Sequence, residues 1–384
     1  MKKLRILLTG GGTGGHIFPL IAVANELRKQ ADNFEVSPDL RYFGSARKYA
    51  REIVENDIEF VPILSGKWRR YWSLLNLLDM VKFLLSFPRL LWKIFWFMPE
   101  VTFSKGGPGA LAAILVSRFY RIPVIIHESD SLPGLTNKIS ASFSKKIFVA
   151  FASAIPYFKN KNIEVVGNPV RESLFANLAS LKLDGENEQA QARKGFGLNP
   201  NEPVILVLGG SQGAEKLNNF ILENLEILTQ NFQILHQAGE GNYDSYKKEF
   251  EFTTKDWSEV EKNRYIFRPF FDKDLGDALI SADLVVSRAG AGSIFELAAF
   301  GRPAMLVPLP ESANGHQKEN ARLYAETGAA IVIQEENLLG NLVAEELQKL
   351  IANPELLKKM SDAAKSFYRP DAASVIAKYL LTYV

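Results

Sequence analysis

Short apolar runs alternate with longer, mixed stretches along most of this chain. Continuous apolar runs are typical of strands buried on both faces, and the stretches between them have the length of helices. A chain in which strands and helices alternate is expected to form parallel sheets covered by helices. The runs predict strands at residues 4–8, 42–43, 60–63, 101–103, 124–126, 147–149, 204–208, 232–235, 284–286, 304–307 and 330–333.

A strand, a glycine-rich loop and a helix follow one another twice. Residues 4–8 lead into the loop Thr-Gly-Gly-Gly-Thr-Gly-Gly-His at 9–16, with a helix near 19–28. Residues 204–208 lead into Gly-Gly-Ser-Gln-Gly-Ala at 209–214 and a second helix, and the polar stretch 184–193 lies between the two units. We therefore predict an α/β protein with two Rossmann-like, doubly wound parallel-sheet domains at residues 1–170 and 171–366. Residues 367–384 are predicted to form a C-terminal helix that begins at Asp371 as its cap, and its return to the first domain is left open.

The composition narrows the functional classes. Of 384 residues, 47% are hydrophobic and 23% are charged, which excludes a mostly disordered chain. The 45 basic and 43 acidic residues give a net charge of +2, which argues against nucleic acid as a partner. The absence of cysteine excludes disulfides, thiol catalysis and cysteine-ligated metal sites. The first apolar run is too short for a signal peptide, and no stretch approaches the roughly 18 residues of a spanning helix.

Glycine loops between a strand and a helix suit phosphate groups, because free N–H groups and the helix dipole stabilise negative charge. Loop 10–15 formally matches the dinucleotide fingerprint, but the second strand ends without the carboxylate that a dehydrogenase places on ribose. Loop 209–213 also matches the G-x-S-x-G nucleophile elbow, with Asp283 and His316 following in hydrolase order. A third small-residue loop at 287–293 opens a helix in which Glu296 is placed to accept two ribose hydroxyls, or only to complement the helix N-terminus.

Taken together, the motifs resemble the MurG family, whose members add N-acetylglucosamine to lipid I and so form lipid II in peptidoglycan synthesis. The resemblance covers nearly the whole chain and implies the GT-B architecture, in which two Rossmann-like domains face across a cleft. The motifs that carry it are Gly11–Pro19, His127-Glu128, Gly134–Lys138, Gly167–Arg171, Gly209–Ala214, Ser287–Glu296, His316–Ala321 and Pro370-Asp371-Ala372.

By this resemblance the second domain binds UDP-N-acetylglucosamine. A loop with Ser211 suits the diphosphate, the backbone at Phe271 suits the uracil edge, and Glu296 suits the ribose. Gln317 and Asn320 are three residues apart on one predicted helix face and suit sugar hydroxyls. The donor positions are Arg171, Ser211, Gln212, Phe271, Glu296, Gln317 and Asn320.

The resemblance implies an inverting, single-displacement reaction without a metal cofactor. The C4 hydroxyl of N-acetylmuramic acid attacks the anomeric carbon, and UDP leaves. His16 is the candidate base, with a structural role or contact with the acceptor diphosphate as its alternatives. Asp272-Lys273-Asp274 is interpreted as a loop and helix start rather than a metal motif. The positions predicted for the phosphate and acceptor loop are Thr13, Gly14, Gly15, His16 and Asn137.

Two departures from the family pattern fall in the acceptor half. After His127 the chain carries Glu128-Ser129-Asp130, where family members often have Glu-Gln-Asn, so that Asp130 becomes a rival candidate base. The family's glycine stretch with Tyr-Val-Ser is altered to Lys105-Gly106-Gly107-Pro108-Gly109. His127 and His236 are interpreted as buried, hydrogen-bonded structural residues.

The segment 63–98 combines basic residues with four of the five tryptophans. Pro88 is predicted to divide it into two helices. Clustered tryptophan, arginine and lysine suit the interface of an anionic membrane, with packing on the sheet as the alternative. The predicted membrane-contact residues are Trp68, Arg69, Arg70, Trp72, Lys82, Arg89, Trp92, Lys93 and Trp96.

The sequence thus predicts a peripheral glycosyltransferase on the cytoplasmic face of the bacterial plasma membrane. Its expected partners are UDP-N-acetylglucosamine, lipid I, an anionic membrane surface and other cell-wall synthesis proteins. The alternatives are a related transferase acting on another lipid such as diacylglycerol, a UDP-sugar epimerase, a G-x-S-x-G hydrolase and a non-catalytic nucleotide-binding protein.

Overall fold

The structure is a computed structural model that describes residues 2–63, 74–158, 162–176, 187–210 and 213–384. The chain divides into two compact units by its internal contacts. The first unit comprises residues 1–171 and 369–384, and the second comprises residues 172–368. The boundary therefore falls between Arg171 and Glu172, and the last residues of the chain belong to the first unit.

The first unit is built on a seven-stranded sheet with the order β3-β2-β1-β4-β5-β6-β7, in which every described pairing is parallel. Its five inner strands are buried over most of their length, in agreement with the apolar runs that predicted them, whereas its two edge strands are mostly half-buried or exposed. They are β1 (Lys2–Gly10), β2 (Val36–Gly44), β3 (Glu59–Pro62), β4 (Val101–Ser104), β5 (Val124–Glu128), β6 (Lys146–Val149) and β7 (Ile163–Val165).

Helices cover both faces of this sheet. On one face, α1 and the C-terminal helix pack together over residues such as Leu4 and Ile6, and the terminal helix contributes the fully buried Ile376 and Leu380. On the other face, α3 and α4 cover Leu7. The helices of this unit are α1 (Gly14–Ala31), α2 (Ala50–Glu55), α3 (Leu74–Phe97), α4 (Leu111–Phe119), α5 (Leu135–Ala141) and, at the end of the chain, α16 (Ala372–Leu381).

The second unit repeats this plan with a six-stranded parallel sheet in the order β10-β9-β8-β11-β12-β13. Its strands are β8 (Val204–Leu208), β9 (Gln233–Gln237), β10 (Tyr265–Arg268), β11 (Leu284–Ser287), β12 (Ala304–Leu306) and β13 (Ala330–Val332). Its helices are α6 (Glu188–Gly195), α7 (Glu215–Glu223), α8 (Leu225–Asn231), α9 (Tyr243–Thr253), α10 (Glu259–Lys262), α11 (Leu275–Ser281), α12 (Ala291–Ala299), α13 (His316–Glu326), α14 (Gly340–Ile351) and α15 (Pro354–Phe367).

The predicted fold class is confirmed, with three local corrections. Strands β7 and β10 were not predicted; each lies at a sheet edge, where one neighbour is missing and the sequence need not be continuously apolar. The prediction that Pro88 divides its segment was wrong, because α3 runs through it. Pro88 is exposed, so that only the hydrogen bond to the carbonyl four residues earlier is lost, while Leu90 and Ile94 stay buried. Asp371 precedes α16 but makes no side-chain cap, because its backbone is near-helical (φ −85°, ψ 0°) rather than extended.

Candidate functional site

The candidate site residues follow the carboxyl ends of strands on both sides of a reversal in strand order. In the first sheet the order reverses between β1 and β4, and in the second between β8 and β11. Ligands of open α/β sheets bind at such reversals, because the loops on either side diverge and leave a crevice. Residues 11–13 and 105–110 follow β1 and β4 at the first reversal, and residues 209–210 and 288–290 follow β8 and β11 at the second.

His16 lies in the first turn of α1, between two glycine segments. Its Nδ1 is 2.8 Å from Thr13 Oγ1. A Cβ built on Gly107, whose φ is +86°, would meet Gly11 Cα at 2.9 Å and His16 Nε2 at 3.3 Å. The loop after β4 therefore needs glycine at 107 for two reasons, its left-handed backbone and its close approach to loop 10–16.

Asn137 and Glu128 connect α5 to the end of β5. Glu128 is buried and accepts hydrogen bonds from the backbone N–H groups of Asp130 and Gly134, each at 3.0 Å, and from Asn137 Nδ2 at 2.9 Å. Asn137 Nδ2 also donates to the His127 carbonyl at 3.3 Å, and because a carbonyl only accepts, this contact fixes the amide with Oδ1 on the other side. That oxygen is buried without a partner and lies 2.6 Å from the Cβ position of Gly106. The Asn137 Oδ1 acceptor is therefore directed at Gly106, in the loop that follows β4.

Lys105 is a buried hub that the sequence analysis noted only as a departure from the family. Its Nζ donates to Ser129 Oγ, to His127 Nδ1 at 2.6 Å and to Asn168 Oδ1 at 2.9 Å. Because the Gly167 carbonyl can only accept, His127 carries its proton on Nε2 and donates it to this oxygen at 2.9 Å, so that Nδ1 of the neutral ring accepts from Lys105. His127 is thus the hydrogen-bonded structural residue that was predicted.

The charges around this hub shift one another's titration. Burial lowers the pKa of Lys105 to about 7, while the carboxylates of Glu128 and Asp130 raise it. Burial, followed by the charge of Asp130, raises the pKa of Glu128 to about 7. Burial and the Lys105 charge hold the pKa of His127 well below its ordinary value. Burial thus brings the pKa values of Lys105 and Glu128 close together, each at about 7.

In the second unit an ion-pair cluster connects α7 with the segments that follow β11, β12 and β13 at the carboxyl edge of the sheet. Arg288, which follows β11, pairs with Glu335 and donates to the Val307 carbonyl at 3.1 Å. Glu335 also pairs with Lys216 on α7 at 3.0 Å. The Arg288 and Glu335 side chains are only 9% and 4% exposed, whereas Lys216 is 74% exposed. We therefore expect the Arg288–Glu335 pair to matter more for stability than the Lys216–Glu335 pair, which water screens.

The structure places the predicted donor residues as follows. Ser211 and Gln212 lie outside the described residues. Asn320 is fully buried on α13, and its Nδ2 donates to the Ala289 carbonyl at 3.2 Å, a contact that the sequence did not anticipate. Gln317, one turn earlier, accepts the Leu309 N–H through Oε1 at 3.0 Å. Glu296 is half-buried on α12.

Phe271 and Arg171 are also placed by contacts within their own units. The Phe271 side chain is fully buried, and its N–H donates to Gln237 Oε1 at 3.0 Å. Arg171 closes the first unit, with its guanidinium 4.0 Å from the centre of the Phe18 ring. The other donor positions belong to the second unit.

The residues Asp272-Lys273-Asp274 form a loop and helix start, as predicted. Asp274 precedes α11, pairs with Arg268 and accepts the Asp272 N–H at 3.1 Å. Within the described ranges, no group of three or more histidine, cysteine or acidic residues is arranged to hold a metal ion.

A buried polar chain behind the second glycine loop was only partly anticipated. His236 contacts Asn218 Oδ1 at 3.1 Å and Tyr265 Oη at 2.6 Å, and Tyr265 in turn contacts Tyr246. Asn218 lies on α7 and donates to the Ala238 carbonyl at 2.7 Å. The sequence indicated only that His236 is buried and hydrogen-bonded, because its partners come from distant segments.

An exposed aromatic surface runs along α3 and the end of α4. Trp92 and Trp96 are 66% and 67% exposed, and Phe119 is 70% exposed. Phe95 and Tyr120 lie between these side chains, and neighbouring rings of the set have their centroids 5.1–6.2 Å apart. Arg89 and Arg118 are exposed beside these rings, and Lys93 is half-buried. We call this set the aromatic–basic face.

Five of the nine predicted membrane-contact side chains lie outside the described part of the structure. Trp68, Arg69, Arg70 and Trp72 lie outside the described residues, as does the side chain of Lys82. Within the described ranges, no helix has both the length and the apolarity required to cross a bilayer.

Comparison with known proteins gives two family matches that together span most of the chain. Residues 6–149 match the glycosyltransferase family 28 N-terminal domain, and residues 204–376 match the glycosyltransferase family 28 C-terminal domain.

Similar proteins match over nearly their full length. The UDP-N-acetylglucosamine–N-acetylmuramyl-(pentapeptide) pyrophosphoryl-undecaprenol N-acetylglucosamine transferase of Treponema denticola is 35% identical over 98% of this chain and 97% of its own. The enzyme of the same name from Legionella pneumophila strain Lens is 36% identical over 97% and 96%.

Solved structures share the fold. MurG from Acinetobacter baumannii aligns with a TM-score of 0.69 at 24% identity over 99% of both chains. The UDP-GlcNAc 2-epimerase of Neisseria meningitidis, bound to UDP-GlcNAc, aligns with a TM-score of 0.68 at 17% identity over 99% of this chain and 100% of its own.

Proposed function

The chain belongs to glycosyltransferase family 28, and from that premise we propose that it transfers N-acetylglucosamine from UDP-N-acetylglucosamine to undecaprenyl-diphospho-N-acetylmuramyl-pentapeptide, which is lipid I. The observation that carries this function is the match to both family domains together with 35% identity over 98% of the chain to an enzyme of this activity. In the reaction the acceptor hydroxyl oxygen bonds to the anomeric carbon, the bond from that carbon to UDP breaks, and the hydroxyl proton passes to a base. The product is lipid II with inverted anomeric configuration.

The test is product analysis with a soluble lipid I analogue. We expect the acceptor to gain one N-acetylhexosamine by mass, in a β(1→4) linkage by NMR. UDP-N-acetylgalactosamine, which differs only at C4, serves as the control donor. If the mass of the acceptor is unchanged and UDP-N-acetylmannosamine forms instead, the protein is an epimerase and the assignment is refuted.

We assign the base role to His16. Its ring lies beside the glycine loops at the first strand-order reversal. A base needs an unprotonated Nε2, which requires that Nδ1–H donate to Thr13 Oγ1, 2.8 Å away. Thr13 is therefore a positioning residue for this proton transfer.

Two variants separate this role from mere binding. His16→Ala is expected to lower kcat by about 100-fold or more, the usual contribution of general-base catalysis. Thr13→Val is expected to lower kcat with little change in the KM for either substrate. Near-normal turnover by His16→Ala would move the base role to another group, of which Asp130 is the rival.

The donor half of the site is proposed at the second reversal. Arg288 and Glu335 hold the loop from which α12 begins, and Glu296 is on that helix for the ribose. Gln317 offers Nε2 to a sugar hydroxyl, since its Oε1 is engaged by Leu309. Ser211, Gln212, Phe271, Asn320 and Arg171 stay donor-site predictions, which UDP titration of alanine variants will test.

We propose that the aromatic–basic face binds an anionic membrane at the cytoplasmic leaflet. Exposed tryptophans next to arginines suit the bilayer interface, where an indole ring is partly apolar and the phosphates are negative. The double variant Trp92→Ala/Trp96→Ala should lose sedimentation with vesicles containing phosphatidylglycerol. Phe252→Ala is the matched control, because Phe252 is 76% exposed in the second unit. Equal loss in both variants would contradict this assignment.

A further inference from the structure

The wall beside the His16 ring is formed by backbone rather than by a side chain. Gly107 has a φ of +86°, and the Cβ that it lacks would lie 3.3 Å from His16 Nε2 and 2.9 Å from Gly11 Cα. Nε2 is the atom to which we assign the proton transfer. Because Gly107 has no side chain to pack, the place of this wall depends on hydrogen bonds to its backbone.

The Gly107 carbonyl accepts hydrogen bonds from two donors of different kinds. The Ala110 N–H, at 3.1 Å, comes from the same loop and closes a turn within it. The Thr136 hydroxyl, also at 3.1 Å, comes from α5, which lies 29 residues along the chain. The first bond shapes the loop, whereas the second fixes the loop to another element of the unit. Thr136 is therefore the side chain that ties Gly107 to α5.

Thr136 is itself held in the first turn of α5. It is 8% exposed, and its carbonyl accepts the Ser140 hydroxyl at 2.8 Å. The next residue, Asn137, is hydrogen-bonded to Glu128 and lies against Gly106. One turn of helix thus contacts both glycines of the pair, through the Thr136 hydroxyl and the Asn137 amide. A hydroxyl has a single hydrogen to donate, and that of Thr136 serves the protein rather than a ligand.

We propose that Thr136 is a positioning residue for the candidate base: its hydroxyl holds the Gly107 backbone against the His16 ring and so confines Nε2. Thr13, at the start of α1, contacts the other ring nitrogen, Nδ1, at 2.8 Å. Each ring nitrogen therefore has its own constraint. The effect on turnover rests on the proposed function and on the base role of His16, whereas the effect of Thr136 on the His16 ring does not.

The experiment compares three variants of the full chain with the parent. Thr136→Val removes the hydroxyl and nearly keeps the shape of the side chain, and Thr136→Ser keeps the hydroxyl. Thr229→Val is the matched control, because Thr229 is 5% exposed and donates to the Leu225 carbonyl at 2.8 Å in the second unit. For each protein we measure kcat, the KM for a soluble lipid I analogue, the KM for UDP-N-acetylglucosamine and the Tm.

We expect Thr136→Val to lower kcat by about tenfold, a fraction of the roughly 100-fold loss that a displacement of about 1 Å can cause. Both KM values should stay close to the parent's. Thr136→Ser should restore most of kcat, and Thr229→Val should lower the Tm without lowering kcat.

Four kinetic results would overturn the proposal. They are a parent-like kcat in Thr136→Val, an equal loss of kcat in Thr229→Val, a Thr136→Ser variant as slow as Thr136→Val, and a loss confined to the acceptor KM. The last result would make Thr136 a substrate contact. If Thr136→Val does not fold, Thr136→Ala removes the same hydroxyl without adding a methyl group, and the same results decide.

A second measurement does not depend on turnover. The chain has four histidines, so that the ring signals of His16 are assigned in a proton–nitrogen NMR spectrum by their absence from His16→Ala. Thr136→Val should shift or broaden the His16 signals and leave those of His236, in the second unit, unchanged. Unchanged His16 signals would refute the positioning role whether or not the parent makes product. A parent without product would refute the proposed function alone.

Discussion

The hydrogen bonds of the buried chain behind the second glycine loop have a fixed direction, which makes two similar substitutions unequal. Asn218 donates from Nδ2 to the Ala238 carbonyl, so that its Oδ1 faces His236 and the histidine carries its proton on Nε2. His236 Nδ1 must then accept from the Tyr265 hydroxyl, and the Tyr265 oxygen accepts from Tyr246. Both tyrosines are 3% exposed.

The perturbation is removal of one hydroxyl at a time. Tyr265→Phe leaves His236 Nδ1 without a donor and Tyr246 without an acceptor. Each unsatisfied buried group costs about 1–3 kcal/mol, so that the total loss is about 2–6 kcal/mol. Tyr246→Phe leaves the Tyr265-to-His236 bond intact and removes one ordinary hydrogen bond, which costs about 0.5–1.5 kcal/mol.

The assay is urea unfolding of both variants beside the parent, followed by circular dichroism. Equal m-values ensure that a shift in midpoint reports stability. The two substitutions are matched in chemistry and in burial, so that each serves as the other's control. A loss for Tyr246→Phe equal to or greater than that for Tyr265→Phe would refute the deduced direction of the chain.

Further predictions concern both units. Gly107→Ala should destabilise the protein more than Gly197→Ala, because both glycines have positive φ but only a Cβ at 107 would meet other atoms at 2.9–3.3 Å. In calorimetry we expect a loss of about 2–5 kcal/mol for Gly107→Ala and about 1–2 kcal/mol for Gly197→Ala. Equal losses would show that the close approach at Gly107 is unimportant. In urea unfolding, Glu335→Gln should lower the free energy of unfolding by about 3 kcal/mol, because it leaves the buried Arg288 guanidinium without its counter-charge. Lys216→Met should lower it by less than about 1 kcal/mol, because Lys216 is exposed. A larger loss for Lys216→Met than for Glu335→Gln would contradict the importance assigned to the buried pair. Burial lowers the pKa of His236 from its ordinary value of 6.5 to about 3. Between these two pH values His236 is protonated in the unfolded chain and neutral in the folded protein. The contribution of neutral His236 to the free energy of unfolding is therefore lost as pH falls from 6.5 towards 3, by about 1.4 kcal/mol per pH unit. NMR should find the His236 ring neutral at about pH 5. A protonated ring at that pH would contradict the argument from burial.

Much of the fold could be predicted because the strands of parallel sheets are buried on both faces. Central strands such as β1 and β8 are continuous apolar runs, and the glycine loops after them mark where the strand order reverses. The edge strands β7 and β10 lack that constraint and were missed. The continuity of α3 through Pro88 also could not be predicted, since it depends on tertiary packing rather than on local propensity.

The candidate site was predictable in its parts but not in its connections. The resemblance identified His16 and Asn137 as separate motif residues, and the structure brings both against the Gly106–Gly107 segment. Lys105 was noted only as a departure, because its three partners are 22, 24 and 63 residues away in sequence. The position of Lys105 between an apolar strand and a glycine pair could have indicated burial, but its acceptors come together only where three distant segments meet.

The central claim is that the chain glycosylates a diphosphate-linked muramyl lipid, and the most direct test is a competition between acceptors. Labelled UDP-N-acetylglucosamine is supplied with a lipid I analogue and diacylglycerol in the same micelles, and a parallel reaction contains no acceptor. The account predicts label in the lipid I product alone, at a rate that depends on His16. Label in diacylglycerol, or UDP release at the same rate without acceptor, would contradict it.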